Sequence, residues 1–348
     1  MDARLTEEQE QIRQTAEQVA RNLAPEWPAH LAFPDDGSSS WARLGELGFL
    51  GMRLPEAAGG APLSGVEVGL VAEQLGRFCV PLPFIGSAVC ASQLLRGAGA
   101  SDEVMRSLAT GCRRLAPVLD SRLQRWAHLG EDGVAFEAAG AAGGLLFDER
   151  SGQLTVVELG PPLESQDLTR VLRRVPRDAA PLVFGDLGGP VGREARDRAL
   201  ALTLSALAAD LVGVMHAAFE RAVEYTKQRE QFGVKIGTFQ ALQHMAAEAL
   251  VSVEAARGCV LYSAWAADAL PVAEALEAAR IAKAYASQHS REVCETAIQM
   301  HGGIAMTWEA MPHVYLRRAL VGRLTLGDEH VHHARLADAW LGQPKEVS

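Results

Sequence analysis

The sequence predicts a mostly α-helical protein with a small β domain set between two helical regions. Three observations carry this. Apolar residues recur at helical spacing up to about residue 112. Between 113 and about 190 they break into short bursts separated by Gly, Pro and Asp. Beyond that the helical period returns in longer, Ala-rich runs. The expected organisation is an N-terminal helical domain (1–112), a short middle β domain (113–190) and a C-terminal four-helix bundle (191–348).

In order along the chain, Thr6 stands as an N-cap before an amphipathic run. Trp41, Leu44, Leu47 and Leu50 recur every three residues and predict one apolar helix face ending at Gly51. Pro55-Glu56 and Gly59-Gly60 predict a loop, and a third helix runs from about Gly65 to Arg77. The bursts Val134–Phe136, Leu145–Phe147, Leu154–Leu159 and Leu182–Phe184 predict short strands, closed by a Gly/Pro-rich hinge from Gly185 to Gly192. One long helix is expected from Ala195 to Arg229, with Ala, Leu and Gly spaced for close helix approach. Helices near 238–268 and 272–301, a Gly-Gly loop, a short helix and a final helix complete the chain.

The chain's 33 Lys+Arg against 43 Asp+Glu give a net charge of -10, with no basic stripe. That argues against nucleic acid or an anionic membrane as partner. The opening MDARLTEEQEQIRQ carries no apolar signal-like core, so a cytoplasmic location is expected. The longest apolar stretch, Ala199 to Met215, is broken by Thr203, Ser205 and Asp210. It reads as a buried helix, because a membrane span needs about 20 mostly apolar residues. The five cysteines form no CxxC pair and read as reduced core residues. His301, His313, His330, His332 and His333 invite a metal reading. However, HVHH at 330–333 lacks a carboxylate-supported pattern, and adjacent histidines do not share a helix face. No metal is expected.

Three segments carry more specific information. The first is Trp41…Leu44-Gly45-Glu46-Leu47-Gly48 with Leu54-Pro55-Glu56…Gly59-Gly60. The second is Arg229-Glu230-Gln231-Phe232-Gly233 with Ile236, Phe239 and Gln240. The third is Gln299-Met300-His301-Gly302-Gly303, continued by Thr307, Glu309, Arg317 and Arg318. In this order and spacing they resemble the acyl-CoA dehydrogenase family, and the resemblance covers nearly the whole chain. It implies FAD as cofactor and an acyl-CoA thioester as substrate. The chemistry of the residues agrees. Arg229 is a planar multi-donor cation suited to a pyrophosphate. Gln231, Gln240 and Gln299 offer amide hydrogen bonds. Gly302 and Gly303 let backbone N–H groups approach a cofactor, and Phe232 and Phe239 give apolar cover. Without the resemblance, Arg229 reads first as a helix C-cap and the glycines as a helix stop.

Other parts of the family pattern are missing. The resemblance implies a carboxylate base at one of two positions. One lies about nine residues past Arg317-Arg318, where Leu326 stands. The other lies 26 residues before Arg229, where Thr203 stands. Neither side chain is a base at neutral pH. Substitute acids are Asp328, Glu329, Glu309 and Asp210, of which Asp210 suits a polar contact inside the bundle. The family's T-E/Q-x-x-x-G-S-D run, which seats the flavin ring, has no counterpart in APVLDSRLQRWAHL, Ala116 to Leu129.

In the family, the Arg/Phe/Gln set and the Gly-Gly loop reach the flavin of a neighbouring subunit, while the β domain and base serve the subunit's own site. Keeping the first and lacking the second resembles the short, degenerate subunits of heteromeric acyl-CoA dehydrogenases acting on sterol-derived and other bulky acyl groups. The expected function is completion of the FAD site of a larger catalytic partner. Two alternatives stand beside it: a self-sufficient homomeric dehydrogenase with a relocated base, and a structural subunit that binds neither flavin nor CoA.

Overall fold

The computed structural model describes residues 4–24 and 37–342. Thr6 caps α1 (Glu7–Leu23) as its position predicts. Its hydroxyl accepts the Gln9 N–H at 3.2 Å, and Gln9 Oε1 accepts the Thr6 N–H at 3.1 Å, a reciprocal capping box. Helix α2 (Ser38–Glu46) is shorter than the Trp41–Leu50 spacing predicts. Gly48 adopts φ +77°, which breaks the helix, and a separate 3-10 turn (Phe49–Gly51) carries Leu50 into the core beside Trp41 and Leu44. Helix α3 (Gly65–Arg77) forms where expected and is buried from Gly65 through Gly76. A π-helical stretch (Phe84–Ala91) then runs into α4 (Ser92–Ala98), and α5 (Asp102–Ala109) follows.

The middle region holds one five-stranded sheet. Its strands are β1 (Leu115–Asp120), β2 (Gly133–Ala135), β3 (Gly143–Phe147), β4 (Leu154–Val157) and β5 (Arg173–Val175), in the order β4-β3-β1-β2-β5. Only β1 and β3 run parallel; the other pairs are antiparallel. Two strands escape the sequence reading. β1 is central, yet it contains Pro117, a residue that argues against a central strand because it donates no ladder bond. Pro117 is tolerated here through its carbonyl, which accepts the Phe136 N–H at 3.0 Å. β5 is an edge strand with an Arg-Arg pair and no apolar burst. Conversely, Leu182–Phe184, expected as a strand, is not one. Only an isolated bridge forms there, Pro181 to Val157, flanked by bonds from the Glu158 N–H to Ala180 O and from the Leu182 N–H to Val156 O.

Past the hinge, α6 (Arg193–Gln228), α7 (Gln240–Ala269), α8 (Val272–His301), α9 (Pro312–Leu324) and α10 (Glu329–Leu341) build the C-terminal bundle. Helix α6 is its axis, packing on α3, α7, α8 and α9. Its apolar stretch is inside the protein, as predicted, with almost every residue from Ala199 to Met215 buried. Glycines allow the closest crossing. A Cβ on Gly213 would collide with the Glu73 carbonyl of α3, and one on Gly76 with the Asp210 backbone.

A buried ion network joins this axis to the β domain. Asp210 on α6 accepts from Arg170 Nη2 at 2.6 Å and from Arg318 Nη2 of α9 at 2.6 Å. Arg170 also bonds Asp167 (3.2 Å) and Glu137 (3.0 Å), and Arg318 donates to Thr169 Oγ1 (2.7 Å). Burial alone would raise the Asp210 carboxyl, but the two guanidinium groups outweigh it and hold the group below its ordinary value. The cysteines need one correction. Cys79, Cys90 and Cys294 are buried as expected, but Cys259 is half-buried and Cys112 exposed.

Candidate cofactor-contact site

Helix α6 ends at Arg229, whose backbone turns extended (φ -70°, ψ 130°) while its N–H still bonds Tyr225 O. The chain reverses at once. Glu230 and Gln231 pair with Lys235 and Val234 around a two-residue turn, Phe232 (φ +54°) and Gly233 (φ +81°). Two successive positive φ values make a type I′ turn, the geometry that matches strand twist. Gly accepts that backbone freely; Phe does not. The strained residue is also the most displayed, because Phe232 is 92% exposed. Its ring meets the Phe239 ring edge-on, 6.4 Å between centroids. The Arg229 guanidinium is exposed and has no hydrogen bond or ion pair among the described residues. Gln231 turns its amide back to Glu230 O (2.7 Å), and Gln240 opens α7 on the surface.

The Gln-Gly-Gly segment lies at the same end of the bundle. Gln299 is exposed near the end of α8, and Gly302 takes φ +68°, ψ -150°, a backbone region essentially confined to glycine. Gly303 differs. Its φ is ordinary, and a Cβ there would meet nothing within 4 Å. Nothing among the described residues requires glycine at that position. The two segments are tied together by a contact that sequence reasoning missed. Tyr225, on the last turn of α6, stacks on His301 at 4.7 Å and 23°, and His301 Nδ1 is fixed by Ala297 O at 2.7 Å. A cleft of about 430 Å³ opens beside this stack, lined by Tyr225, Gln228, His301, Ile304 and Glu309. His301 is thus a packing residue here, its ring held toward the neutral form by burial.

The two base positions lie elsewhere, inside the core. Leu326 is 6% exposed and adopts φ +57°; its N–H donates to Leu123 O at 2.6 Å. Thr203 is buried, and its hydroxyl donates back to Ala199 O at 2.7 Å. Cys90 lies against Thr203 and Trp126, its thiol pushed up to about 11 by burial, with Trp126 and Thr203 opposing more weakly. Leu123, Trp126, Cys90 and Leu326 all belong to the main apolar core.

The substitute acids do not converge on that place. Asp328 is the N-cap of α10, accepting the Val331 N–H at 3.1 Å. Glu329 is paired with Arg323 at 2.8 Å, which overcomes burial and holds the carboxyl below its ordinary value. Asp210 is the centre of the ion network. Glu309 alone is exposed, at the rim of the Tyr225–His301 cleft.

Residues 6–108 match the acyl-CoA dehydrogenase N-terminal domain, and residues 193–341 the acyl-CoA dehydrogenase C-terminal domain. The chain is 32% identical to acyl-CoA dehydrogenase IpdE2 of Mycobacterium tuberculosis, over 90% of this chain and 91% of that protein. It is 30% identical to acyl-CoA dehydrogenase FadE34 of the same organism, over 92% of this chain but 46% of that protein. Among solved structures, a variant of the Tcur3481-Tcur3483 steroid ACAD superposes with a TM-score of 0.81 at 26% identity, covering 96% of this chain and 98% of that one. The ChsE4-ChsE5 complex of Mycobacterium tuberculosis has the same fold, with a TM-score of 0.82 at 21% identity over 99% and 100%. With both terminal domains matched and IpdE2 aligned over nearly its whole length, this chain belongs to the acyl-CoA dehydrogenase family.

Proposed function

We propose that this chain completes the FAD site of a larger acyl-CoA dehydrogenase subunit, and that the partner supplies the base for α,β-dehydrogenation of a bulky acyl-CoA. One contrast carries the reading. The residues that would contact a cofactor face outward, with the Arg229 guanidinium unpaired among the described residues, while the positions of the base are filled by Leu326 and Thr203, both buried.

The outward set suits the dinucleotide. Arg229 is an uncommitted cation for a pyrophosphate, and Gly303 leaves room for close approach of its N–H. Gln231, Gln240 and Gln299 add amide donors, and Phe232 and Phe239 would cover a ring or chain. When bound, the flavin supplies the hydride acceptor for the oxidation. This chain's part is to hold and orient it. Displaying Phe232 on a strained turn is hard to account for unless a second chain covers it.

The similar solved structures include the Tcur3481-Tcur3483 steroid ACAD and the ChsE4-ChsE5 complex. That supports a larger family member as partner and a bulky acyl group as substrate. The test is flavin stoichiometry. The chain purified alone should be flavin-poor, and the co-expressed complex should hold one FAD per pair of unlike subunits. A colourless but assembled complex would overturn the proposal. A lone chain that is fully flavinated and active would replace it with the self-sufficient homomer.

A further inference from the structure

A second cleft, of about 370 Å³, lies between α4, the start of α6 and the end of α7. Three arginines reach it from different elements: Arg53, Arg96 and Arg198. Asp268 is the acidic residue of the lining, and it is already committed. Its Oδ1 accepts from Arg53 Nη2 at 2.6 Å, and its Oδ2 accepts the Gly65 N–H at 2.6 Å and Arg53 Nη1 at 3.1 Å. Arg198 pairs with Glu194 at 3.3 Å at the solvent edge and donates from Nη1 to the Ala267 carbonyl at 3.3 Å. Arg96 makes no ion pair among the described residues; its one bond is to the Arg53 carbonyl at 3.2 Å. Burial and the nearby Arg53 charge both disfavour its protonated form.

Two side-chain donors of the lining are buried without a partner. Gln93 is 9% exposed, and its buried Nε2 has no partner. Arg53 Nε is likewise buried and unpartnered. Unfilled donors therefore converge with surplus positive charge, and the lining carboxylate is spent. A buried donor without a partner is costly, and an anionic oxygen acceptor removes that cost for several donors at once.

We infer that the cleft between α4, α6 and α7 is a binding site for a phosphate-bearing anion, held by Arg96, Gln93 and Arg53 with Arg198 at the rim. Its volume is that of a small-ligand pocket. It is also remote from the cofactor-contact residues. Arg198 and Arg229 are separated by 31 residues of α6, or ~46 Å at 1.5 Å per residue.

The test is calorimetric titration of the Arg229→Ala chain with pyrophosphate, ADP and CoA as separate probes. That background removes any anion held at the flavin-contact end, so a failure here is distinct from a failure of the proposed function. Saturable binding is expected, weakened at least tenfold by Arg96→Gln and by Gln93→Leu, with helix content by circular dichroism unchanged. Gln93→Glu keeps the size and adds a negative charge, and it should abolish binding even if the Leu variant misfolds. ADP or CoA binding more tightly than pyrophosphate would identify a nucleotide as the ligand; equal affinity would identify the free phosphoryl anion. No saturable binding below about 10 mM, or binding unchanged in Arg96→Gln and Gln93→Glu, overturns the assignment.

Discussion

The backbone N–H of Leu326 donates to the carbonyl of Leu123 across 2.6 Å, and both residues sit at positive φ, 57° and 62°. The resemblance puts the family's base at the first and its flavin-seating run near the second, and the sequence matches it at neither. The bond holds these two departures against each other. The first prediction follows. Leu326→Glu should not create activity in the lone chain. An ionised carboxylate at a 6% exposed position in the apolar core is poorly solvated, and burying it should lower folding stability by about 3 kcal/mol. Denaturation midpoint and acyl-CoA-dependent flavin bleaching are the readouts. Recovered bleaching by the lone variant would mean that the inner site is open.

Phe232→Gly separates display from stability. Glycine relieves the positive φ at Phe232, worth about 1 kcal/mol, and removes a ring that touches little of its own chain. The lone chain should be as stable as wild type or slightly more so. The complex should nevertheless lose flavin or partner, seen as faster flavin release or a weaker dissociation constant. Equal losses in chain and complex would assign Phe232 a purely internal role.

Arg229→Ala should act in the same direction through charge. On the proposed function it removes a charge-assisted contact to the cofactor, and it removes no side-chain bond that the described residues use. Ala also favours helix at the end of α6. Flavin retention in the complex should fall while helix content holds. If retention is unchanged and melting comes earlier, Arg229 is a helix cap.

Much of this was legible in the sequence because it is local. The Thr6 cap, the long helices and the Arg229–Gly233 and Gln299–Gly303 segments are each set by residues adjacent in the chain. The surprises are long-range or contradict local propensity. Pro117 hides β1, because its tolerance depends on a carbonyl bond to Phe136. The Leu123–Leu326 bond joins residues about 200 positions apart, both non-glycine in a glycine-like conformation. The Tyr225–His301 stack joins two helix ends, and sequence offered His301 only as a doubtful metal ligand. Arg53, Arg96 and Arg198 look like ordinary solvated charges until the fold brings them around Gln93.

The pH dependence of stability should carry a signature of His332. This ring is buried with neither nitrogen partnered, and burial, with Lys283 and Arg280 nearby, depresses it from 6.5 to about 3. Between those values the unfolded chain binds a proton that the folded chain does not. Stability therefore rises with pH through this window and is lost as pH falls below 6.5. The slope is about 1.4 kcal/mol per pH unit for one group. His332→Phe should flatten the melting-temperature profile between pH 6.5 and pH 4, in the complex and in the lone chain. An unchanged slope would place the acid sensitivity elsewhere.

The missing base is decided by amide substitutions in the assembled complex. If the partner supplies the carboxylate, Asp328→Asn, Glu329→Gln and Glu309→Gln should each keep turnover within about tenfold, or about 1.4 kcal/mol of barrier. Asn is as good an N-cap as Asp, so Asp328→Asn should also keep α10. Glu309→Gln changes an exposed side chain at the cleft rim. Asp210→Asn is a different experiment. It strips the charge that faces both Arg170 and Arg318 at 2.6 Å in the core, and breaking such a network costs about 3–5 kcal/mol of stability. Its turnover must be read per folded complex, well below its own melting point, and a loss there is not evidence for a base. General-base removal costs roughly 10²–10⁴-fold. A thousandfold fall at Asp328, Glu329 or Glu309, with FAD still bound, would mean that this chain carries its own catalytic acid and that the assisting role is wrong.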